Sequence, residues 1–238
     1  MSETERHPRR WRRPILLILL LCAAGLAAWH FATRWAPDAG QWPLQGVAAG
    51  PDNRPLRWPT LAAQGAGFAY IDAADGRRAL DRFYPAEAQA ARAAGLRVGA
   101  IQHYDLCAMA SDQAAAFVRT VPRDADALPA VVIISENDRC TRQPTRALLL
   151  SELTTYLNQI ETHLGKAALI GPSDAIEARY QLGEAIARPL WLARNWRAPD
   201  AEAPAWVVWQ ANNHARVDGA EGPVRRLVAH EAGETEGS

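Results

Sequence analysis

Residues 45–76 read QGVAAGPDNRPLRWPTLAAQGAGFAYIDAADG, and this stretch decides the fold. The short apolar run Gln45–Ala49 predicts a strand, and the turn-forming residues of GPDNRP follow it. Trp58–Gln64 predicts a short helix, and Gly67–Asp72 (GFAYID) predicts a second strand. Two neighbouring strands joined through a helix run parallel, so the stretch predicts a strand–helix–strand unit of the α/β class.

The same alternation continues along the chain. The run AVVIIS is almost continuously apolar, which is typical of a strand buried on both faces, and Ser111 is a candidate N-cap. We predict further helices at Leu80–Ala94, Ser111–Val121 and Thr145–Leu164, and further strands at Leu96–Gln102, Ala130–Ser135, Ala167–Ile170, Pro189–Ala193 and Ala205–Gln210. About seven or eight strands in about 190 residues favour a compact (β/α) TIM-like barrel, with a doubly wound open sheet as the alternative. No glycine-rich phosphate loop follows an early strand, which argues against a nucleotide site.

The N-terminus carries a basic stub followed by an apolar run. Residues 1–13 hold five arginines and two glutamates, and Ile15–Trp29 (ILLILLLCAAGLAAW) follows, with an extension to Thr33. Helices of this length span about 22 to 28 Å against a hydrocarbon core of about 30 Å, so the run is either a short anchor or a long signal peptide. We expect an inner-membrane protein with a cytoplasmic N-terminus and a periplasmic domain, because a basic stub stays inside. Secretion after signal cleavage and a lipoprotein site at Leu21-Cys22 are the alternatives.

We predict five parts: a basic cytoplasmic stub at 1–13, a transmembrane anchor at 14–34, a linker at 35–43, a barrel at 44–230 and a disordered tail at 231–238. Residues 1–36 hold six basic and two acidic groups, and the remainder holds 20 and 24. The chain as a whole has zero net charge and is 49% hydrophobic. These values argue against a disordered chain and give no support for a nucleic-acid binder that follows phosphates with excess basic residues.

Cysteine usage agrees with export. Cys22 lies in the apolar run, which leaves Cys107 and Cys140. An even pair in an oxidising compartment predicts a disulfide, with two buried free thiols as the alternative. The pair has no further His or Cys at ligand spacing, so we expect no zinc site.

The opening stretch resembles the start of the family 25 glycoside hydrolases, the Chalaropsis-type lysozymes. In that family a strand G-(V/I)-D-V-S is followed by a helix and by F-x-Y-I-K-A-(T/S)-E-G. The similarity continues through DRFYPAEAQAARAAGLRVGA, SDQAAAFVRTV, LPAVVIIS, PLWLARNW, WVVWQ and RVDGAEGPV, and covers roughly Pro43 to Val228. The resemblance implies a compact, partly irregular (β/α) barrel that hydrolyses the muramic acid–glucosamine linkage of peptidoglycan without a metal or organic cofactor.

The chain departs from this family where the chemistry needs carboxylates. Glycoside hydrolysis requires a general acid and a second carboxylate that acts as nucleophile, base or charge stabiliser. The first-strand Asp falls on Ala48, and the Asp and Glu of the fourth-strand D-x-E fall on Ile133 and Ser135. The Asp of the closing V-D-x-N segment falls on Arg225, and Asp72 stands where the second strand of the family has Lys. We therefore predict a degenerate catalytic site.

Glu136 is the surviving catalytic candidate, one residue beyond Ser135. Strand side chains alternate, so Glu136 points away from the site unless a bulge precedes it. The alternative is a strand-end charge that pairs with a loop arginine such as Arg139. Asp72, Asp105, Asp138 and His103 are further candidates for an acid or base role. The alternative for the three aspartates is a solvated charge at a loop end.

Three residues on the late strands match family positions and are candidates for glycan binding: Trp191, Trp209 and Gln210. Aromatic rings stack on sugars and an amide bonds their hydroxyls, whereas core packing is the alternative for both tryptophans. The combined interpretation is a membrane-anchored lysozyme-like pseudoenzyme that binds peptidoglycan, another glycan or an envelope protein. The alternatives are an active muramidase that uses Glu136 and a protein–protein interaction module on a barrel scaffold.

Overall fold

The computed structural model describes residues 9–75, 79–136, 140, 143–200 and 206–230, without the side chains of 9–13 and 75–80. The helices of this described part are α1 (Arg9–Arg34), α2 (Trp58–Ala63), α3 (Tyr84–Ala93), α4 (Ala110–Thr120), α5 (Arg146–Leu164), α6 (Asp174–Tyr180) and α7 (Leu182–Ala185). Its strands are β1 (Gln45–Ala49), β2 (Phe68–Asp75), β3 (Ala79–Leu80), β4 (Arg97–Tyr104), β5 (Val131–Ile134), β6 (Leu169–Pro172), β7 (Leu190–Ala193), β8 (Trp206–Ala215) and β9 (Val224–Ala229).

Eight of these strands close into a barrel. β1 pairs with both β2 and β9, which joins the two ends of the sheet, and β3 forms a hairpin with the end of β2. Neighbouring strands run parallel from β1 to β8, whereas β9 runs antiparallel to β8 and β1. The predicted α/β TIM-like barrel preceded by one apolar helix is confirmed, and the open sheet is excluded. β9, which was not among the predicted strands, closes the barrel as an antiparallel strand.

Side chains of alternating strand positions fill two separate layers. The barrel interior holds Ala48, Phe68, Tyr70, Ile101, Val131, Leu169, Trp191, Val208 and Leu227. A larger cluster lies between the strands and the helices, and there Val132 and Ile134 of β5 pack against helix residues such as Leu153. The run AVVIIS is thus buried on both faces from Ala130 to Ile134, as predicted, whereas its last residue, Ser135, is exposed. Large rings occupy the interior next to glycines: a Cβ at Gly46 would lie 2.5 Å from the Phe68 ring.

Two helix starts differ from the predictions. Helix α4 begins at Ala110, so Ser111 lies inside it. The Glu152 carboxylate accepts a hydrogen bond from the Ala110 N–H at 2.8 Å, and this contact from α5 satisfies the first turn in place of a local cap. Leu80 belongs to the β3 hairpin, and α3 begins at Tyr84 with a proline in its first turn, where proline is favoured.

Helix α1 contains Pro14–Arg34, 21 residues apolar enough to span a membrane or to act as a signal sequence. Residues 35–43, predicted as a linker, pack along the outer face of β8, and we call them the strap. The Trp35 ring lies 6.3 Å from that of Trp209, and Trp42 lies 5.8 Å from both Trp206 and Trp209. The strap is therefore part of the folded barrel. Residues 1–8 and the predicted tail at 231–238 lie outside the described residues.

Candidate active site at the barrel mouth

The carboxyl ends of the parallel strands meet at one end of the barrel, which we call the mouth. Polar residues occupy the inward-facing positions there: Asp72 of β2, His103 of β4 and Arg225 of β9. Each lies two residues from an apolar interior side chain of the same strand (Tyr70, Ile101 and Leu227). Strand alternation therefore aims all three into the barrel.

Asp72 joins the other two groups. Its Oδ1 accepts a hydrogen bond from Arg225 Nη2 at 2.6 Å and lies 3.1 Å from His103 Nε2. The side chains of Asp72 and Arg225 are each 19% exposed, so the ion pair is largely shielded from water.

The surroundings of Asp72 act on its pKa in opposite directions. Burial disfavours the charged carboxylate, but the Arg225 charge, the His103 ring and their hydrogen bonds together outweigh burial and hold the pKa of Asp72 below its ordinary value. Asp72 is consequently ionised at neutral pH. An ionised carboxylate bound in this way cannot donate a proton to a leaving group.

Gly50, at the end of β1, makes room for this group. A Cβ on Gly50 would clash with Asp72 Oδ2. The Gly50 N–H donates to the Asn53 side chain at 2.6 Å, which fixes the turn after β1. A side chain at position 50 would therefore displace the Asp72 carboxylate.

The predicted degenerate positions lie on the inner face of the strands or just beyond it. Ala48 is fully buried in the interior, opposite Arg225 of β9. Ile133 packs against the interior cluster, and its Cδ1 would lie 2.7 Å from a Cβ at Gly171. Ser135 follows the end of β5 and is exposed. Ala48, Ile133 and Ser135 carry no group that titrates near neutral pH, and Arg225 supplies a positive charge.

Glu136 lies beyond β5 and is exposed to solvent. β5 pairs in unbroken register with β4 and β6 from Val131 to Ile134. The bulge that would turn Glu136 into the mouth therefore does not occur within the strand. Asp138 and the suggested partner Arg139 lie outside the described residues.

The late-strand residues divide between two locations. Trp191 is 1% exposed and fills the interior, where its ring meets that of Tyr70 edge-on at 5.2 Å. Trp209 is 2% exposed on the outer face of β8, beneath the strap tryptophans. Both placements favour the packing alternative. Gln210 is half-buried and, by alternation with Trp209, faces the interior.

Cys107 and Cys140 form the predicted disulfide, with Cα atoms 5.6 Å apart. It joins the connection after β4 to the connection after β5, and both connections belong to the mouth. Asp105 shapes the first of them, because its Oδ1 accepts from the Cys107 N–H at 2.9 Å. Cys22 is exposed on α1 as a free thiol. Within the described ranges, no group of three or more His, Cys, Asp or Glu side chains is arranged to hold a metal ion.

The Asp72–Arg225 pair is the feature that sequence reasoning missed. Both residues stand out in the resemblance, since an acid replaces a lysine at one and a base replaces an aspartate at the other. Opposite charge changes at two family positions were a signal that the positions meet. Their separation of 153 residues hides the contact from local patterns.

A closed mixed barrel with polar groups at its mouth is a scaffold shared by many enzymes, and similarity to known proteins identifies the family. The model of the glycosyl hydrolases family 25 matches residues 51–220, so the chain belongs to that family. Among solved structures, a family 25 glycosyl hydrolase from Bacillus anthracis superposes with a TM-score of 0.76 at 22% identity, covering 85% of this chain and 94% of that one. The lysozyme of Streptomyces coelicolor gives 0.68 at 20% identity, covering 79% and 92%. These two likenesses show the fold.

Curated relatives include the uncharacterized protein YegX of Escherichia coli K12. The chain is 29% identical to it over 158 residues, which is 66% of this chain. YegX of the E. coli strain CFT073 matches to the same extent. The match spans 57% of the length of these relatives.

Proposed function

We propose that this protein is a membrane-anchored, envelope-facing member of family 25 that has lost muramidase activity and binds a glycan of the peptidoglycan type at the barrel mouth. The observation that carries the proposal is the state of Asp72. This carboxylate of the mouth is ionised and bound to Arg225 and His103, so it is held as a charge partner and not as an acid.

The loss of activity follows from what glycoside hydrolysis needs. A general acid or base contributes about 10² to 10⁴ in rate, and the reaction uses two carboxyl groups across one bond. The family positions for these groups hold Ala48, Ile133, Ser135 and Arg225. With both roles unfilled, the expected rate falls by at least about 10⁴.

Glycan binding is supported by the family and by the groups that remain. Asp72, His103, Arg225 and Gln210 supply donors and acceptors on the inner face, suited to sugar hydroxyls. These groups can bind a saccharide without cleaving it.

The exposed apolar residues near the mouth favour a second candidate, a protein partner. Phe83 is 45% exposed and Met109 65% exposed, and both immediately precede helices that start at this end. Contiguous exposed apolar surface marks protein contacts, and these two side chains would contribute to such a surface if a partner covered this end. A partner bound there would occupy the loops and leave the polar groups of the interior free.

The test uses the full chain in detergent, incubated with purified peptidoglycan sacculi and then centrifuged. The proposal expects protein in the pellet and no muramic-ended fragments in the supernatant by mass spectrometry. Asp72→Ala should reduce pelleting, whereas Glu184→Gln, an exposed carboxylate of α7, should not. Fragment release that Glu136→Gln abolishes would establish the active-enzyme alternative. Absence of both pelleting and release would favour the protein partner.

Anchoring is proposed on the helix itself. The 21 residues Pro14–Arg34 are about 31 Å long at 1.5 Å per residue, which matches a hydrocarbon core of about 30 Å. The arginine-rich residues before it favour a cytoplasmic N-terminus and, with it, a periplasmic barrel. Fractionation tests this: the barrel should stay with the membrane after a carbonate wash. Recovery of a shortened chain in the soluble fraction would instead indicate a cleaved signal.

A further inference from the structure

The last turn of α1 is fixed to the barrel by hydrogen bonds. The Arg216 N–H donates to the Thr33 carbonyl at 2.8 Å, and the Asn212 side chain donates to the Ala32 carbonyl at 2.8 Å. The Trp196 ring N–H donates to the same Ala32 carbonyl at 3.3 Å. Thr33 itself is only 4% exposed. The apolar helix therefore ends on the barrel surface and not on a flexible tether.

These contacts lie at the mouth end of the barrel. Asn212 lies in the last part of β8, and Arg216 follows its final residue. Trp196 lies just after the carboxyl end of β7, and its backbone N–H donates to Ala211 at 2.7 Å. From this point the strap runs along β8 toward the start of β1 at the opposite end. The side chains of 14–31 are exposed, so this part of α1 does not pack against the barrel.

The length of α1 sets the depth of these contacts. The apolar helix matches the hydrocarbon thickness and ends at Arg34. Beyond the hydrocarbon, the headgroup layer is about 5 to 7 Å thick on each side. Groups hydrogen-bonded to Ala32 and Thr33 therefore lie at the boundary between the hydrocarbon and that layer when α1 spans the membrane.

The surface around this point has the chemistry of a headgroup contact. We call Arg34, Arg194, Trp196, Arg197 and Arg216 the rim, and all five are exposed. Arginine binds phosphate, and tryptophan favours the membrane–water boundary. Trp196 is 46% exposed at a φ of 60°, a left-handed conformation that the two hydrogen bonds described above hold in place.

We propose that the rim lies in the lipid headgroup layer and binds lipid phosphate, which holds the mouth end of the barrel against the bilayer. The proposal rests on the anchoring proposed above. The mouth then lies at the membrane-proximal end of the barrel, and a glycan would bind there close to the membrane surface.

The experiment measures the approach of two barrel sites to the headgroups. The full chain carries Cys22→Ala and one added cysteine labelled with a small fluorophore, with the native disulfide intact. The test site is His214→Cys, exposed next to the rim, and the control is Ala93→Cys, exposed at the end of α3 on the opposite end of the barrel. The protein is placed in nanodiscs of phosphatidylcholine, with or without phosphatidylglycerol, that contain a lipid with a nitroxide headgroup.

The expected result is quenching at residue 214 at least about twofold stronger than at residue 93, with a further increase on adding phosphatidylglycerol. Arg194→Glu combined with Arg216→Glu should reduce quenching at 214 and remove the lipid dependence. The control combines Arg97→Glu with Arg123→Glu, two exposed positions at the opposite end of the barrel. It should change neither the quenching at residue 214 nor its dependence on phosphatidylglycerol.

Equal quenching at residues 214 and 93 would overturn the rim proposal without affecting the anchoring. So would quenching at residue 214 that does not change when the rim arginines are replaced. Failure of the chain to co-elute with nanodisc lipid would overturn the anchoring, and the rim proposal with it. The glycan-binding proposal is independent of either result, since sacculus pelleting is measured in detergent.

Discussion

Replacement of Arg225 by methionine removes the main partner of a shielded carboxylate. Methionine keeps most of the length and apolar contacts of the arginine side chain, so the measured change reports mainly the loss of the positive charge. Asp72 then retains its contact to His103, but the 2.6 Å bond to the guanidinium is lost. We expect the free energy of unfolding to fall.

The magnitude follows from the geometry. Two charges about 4 Å apart attract by about 4 kcal/mol at the effective dielectric constant of a protein surface, and breaking a fully buried pair costs about 3 to 5 kcal/mol. The two side chains are each 19% exposed, so water recovers part of this loss. We expect a loss of about 2 to 3 kcal/mol at pH 7.

The pH dependence of this loss has a defined sign. The folded pKa of Asp72 lies below its unfolded value of about 3.9, so its contribution is present above about pH 4 and disappears as the pH falls through the folded pKa. The difference in stability between the wild type and Arg225→Met should therefore be full at pH 7 and should shrink below about pH 4.

The assay is urea unfolding of the full chain in detergent, followed by tryptophan fluorescence. Arg197→Met is the matched control, because its pair with Asp200 at 3.1 Å leaves the two side chains 73% and 69% exposed. That control should lose less than about 0.5 kcal/mol. The reversed pair, Asp72→Lys with Arg225→Asp, should recover most of what either change loses alone. A loss for Arg225→Met no larger than that of the control would show that the Asp72–Arg225 pair does not stabilise the fold. A loss that persists unchanged at low pH would show that it does not depend on the ionised Asp72.

Three further changes have expected outcomes. Replacing Cys107 and Cys140 by alanine removes the disulfide between residues 33 positions apart and should lower the free energy of unfolding by about 3 to 4 kcal/mol. Reductant should lower that of the wild type by the same amount. Gly50→Ala should cost about 1 to 3 kcal/mol, and should cost less when Asp72→Ala is present, as a double-mutant cycle measures. Trp42→Ala should cost about 2 kcal/mol and expose residues 35–43 to limited proteolysis, while the barrel stays resistant.

The elements predicted well are those with a strong local pattern. Alternation of apolar runs and turn residues located β1, α2 and β2, and the run AVVIIS located β5. β9 was missed because its sequence VRRLVA places two arginines in a six-residue strand. Arg225 is half-buried through its ion pair with Asp72, a partner that only tertiary structure supplies.

β8 extends further than predicted for a related reason. The residues Asn212, Asn213 and His214 end the apolar pattern, yet they continue the strand. Asn212 bonds the carbonyls of Ala32 and Trp35 at 2.8 and 3.2 Å, so its amide is satisfied by the end of α1. No local pattern in residues 211–215 indicates that contact, because the partner lies about 180 positions earlier.

For the candidate site, the sequence predicts that carboxylates are absent from the family positions, and this remains a prediction. The sequence also placed Trp191 and Trp209 in correct strands, but it could not show which face each occupies. The face that each tryptophan occupies depends on strand register and on the strap. Trp191 points into the barrel, whereas Trp209 points outward and is covered by Trp35. The charge state of the mouth likewise depends on groups from three strands, Asp72, His103 and Arg225.

The most direct test of the central claim is the number of new muramic reducing ends released from sacculi per molecule of full-length protein. We predict a count for the wild type equal to that of Glu136→Gln, with both at background. A wild-type count above background that Glu136→Gln abolishes and Glu184→Gln preserves would contradict it.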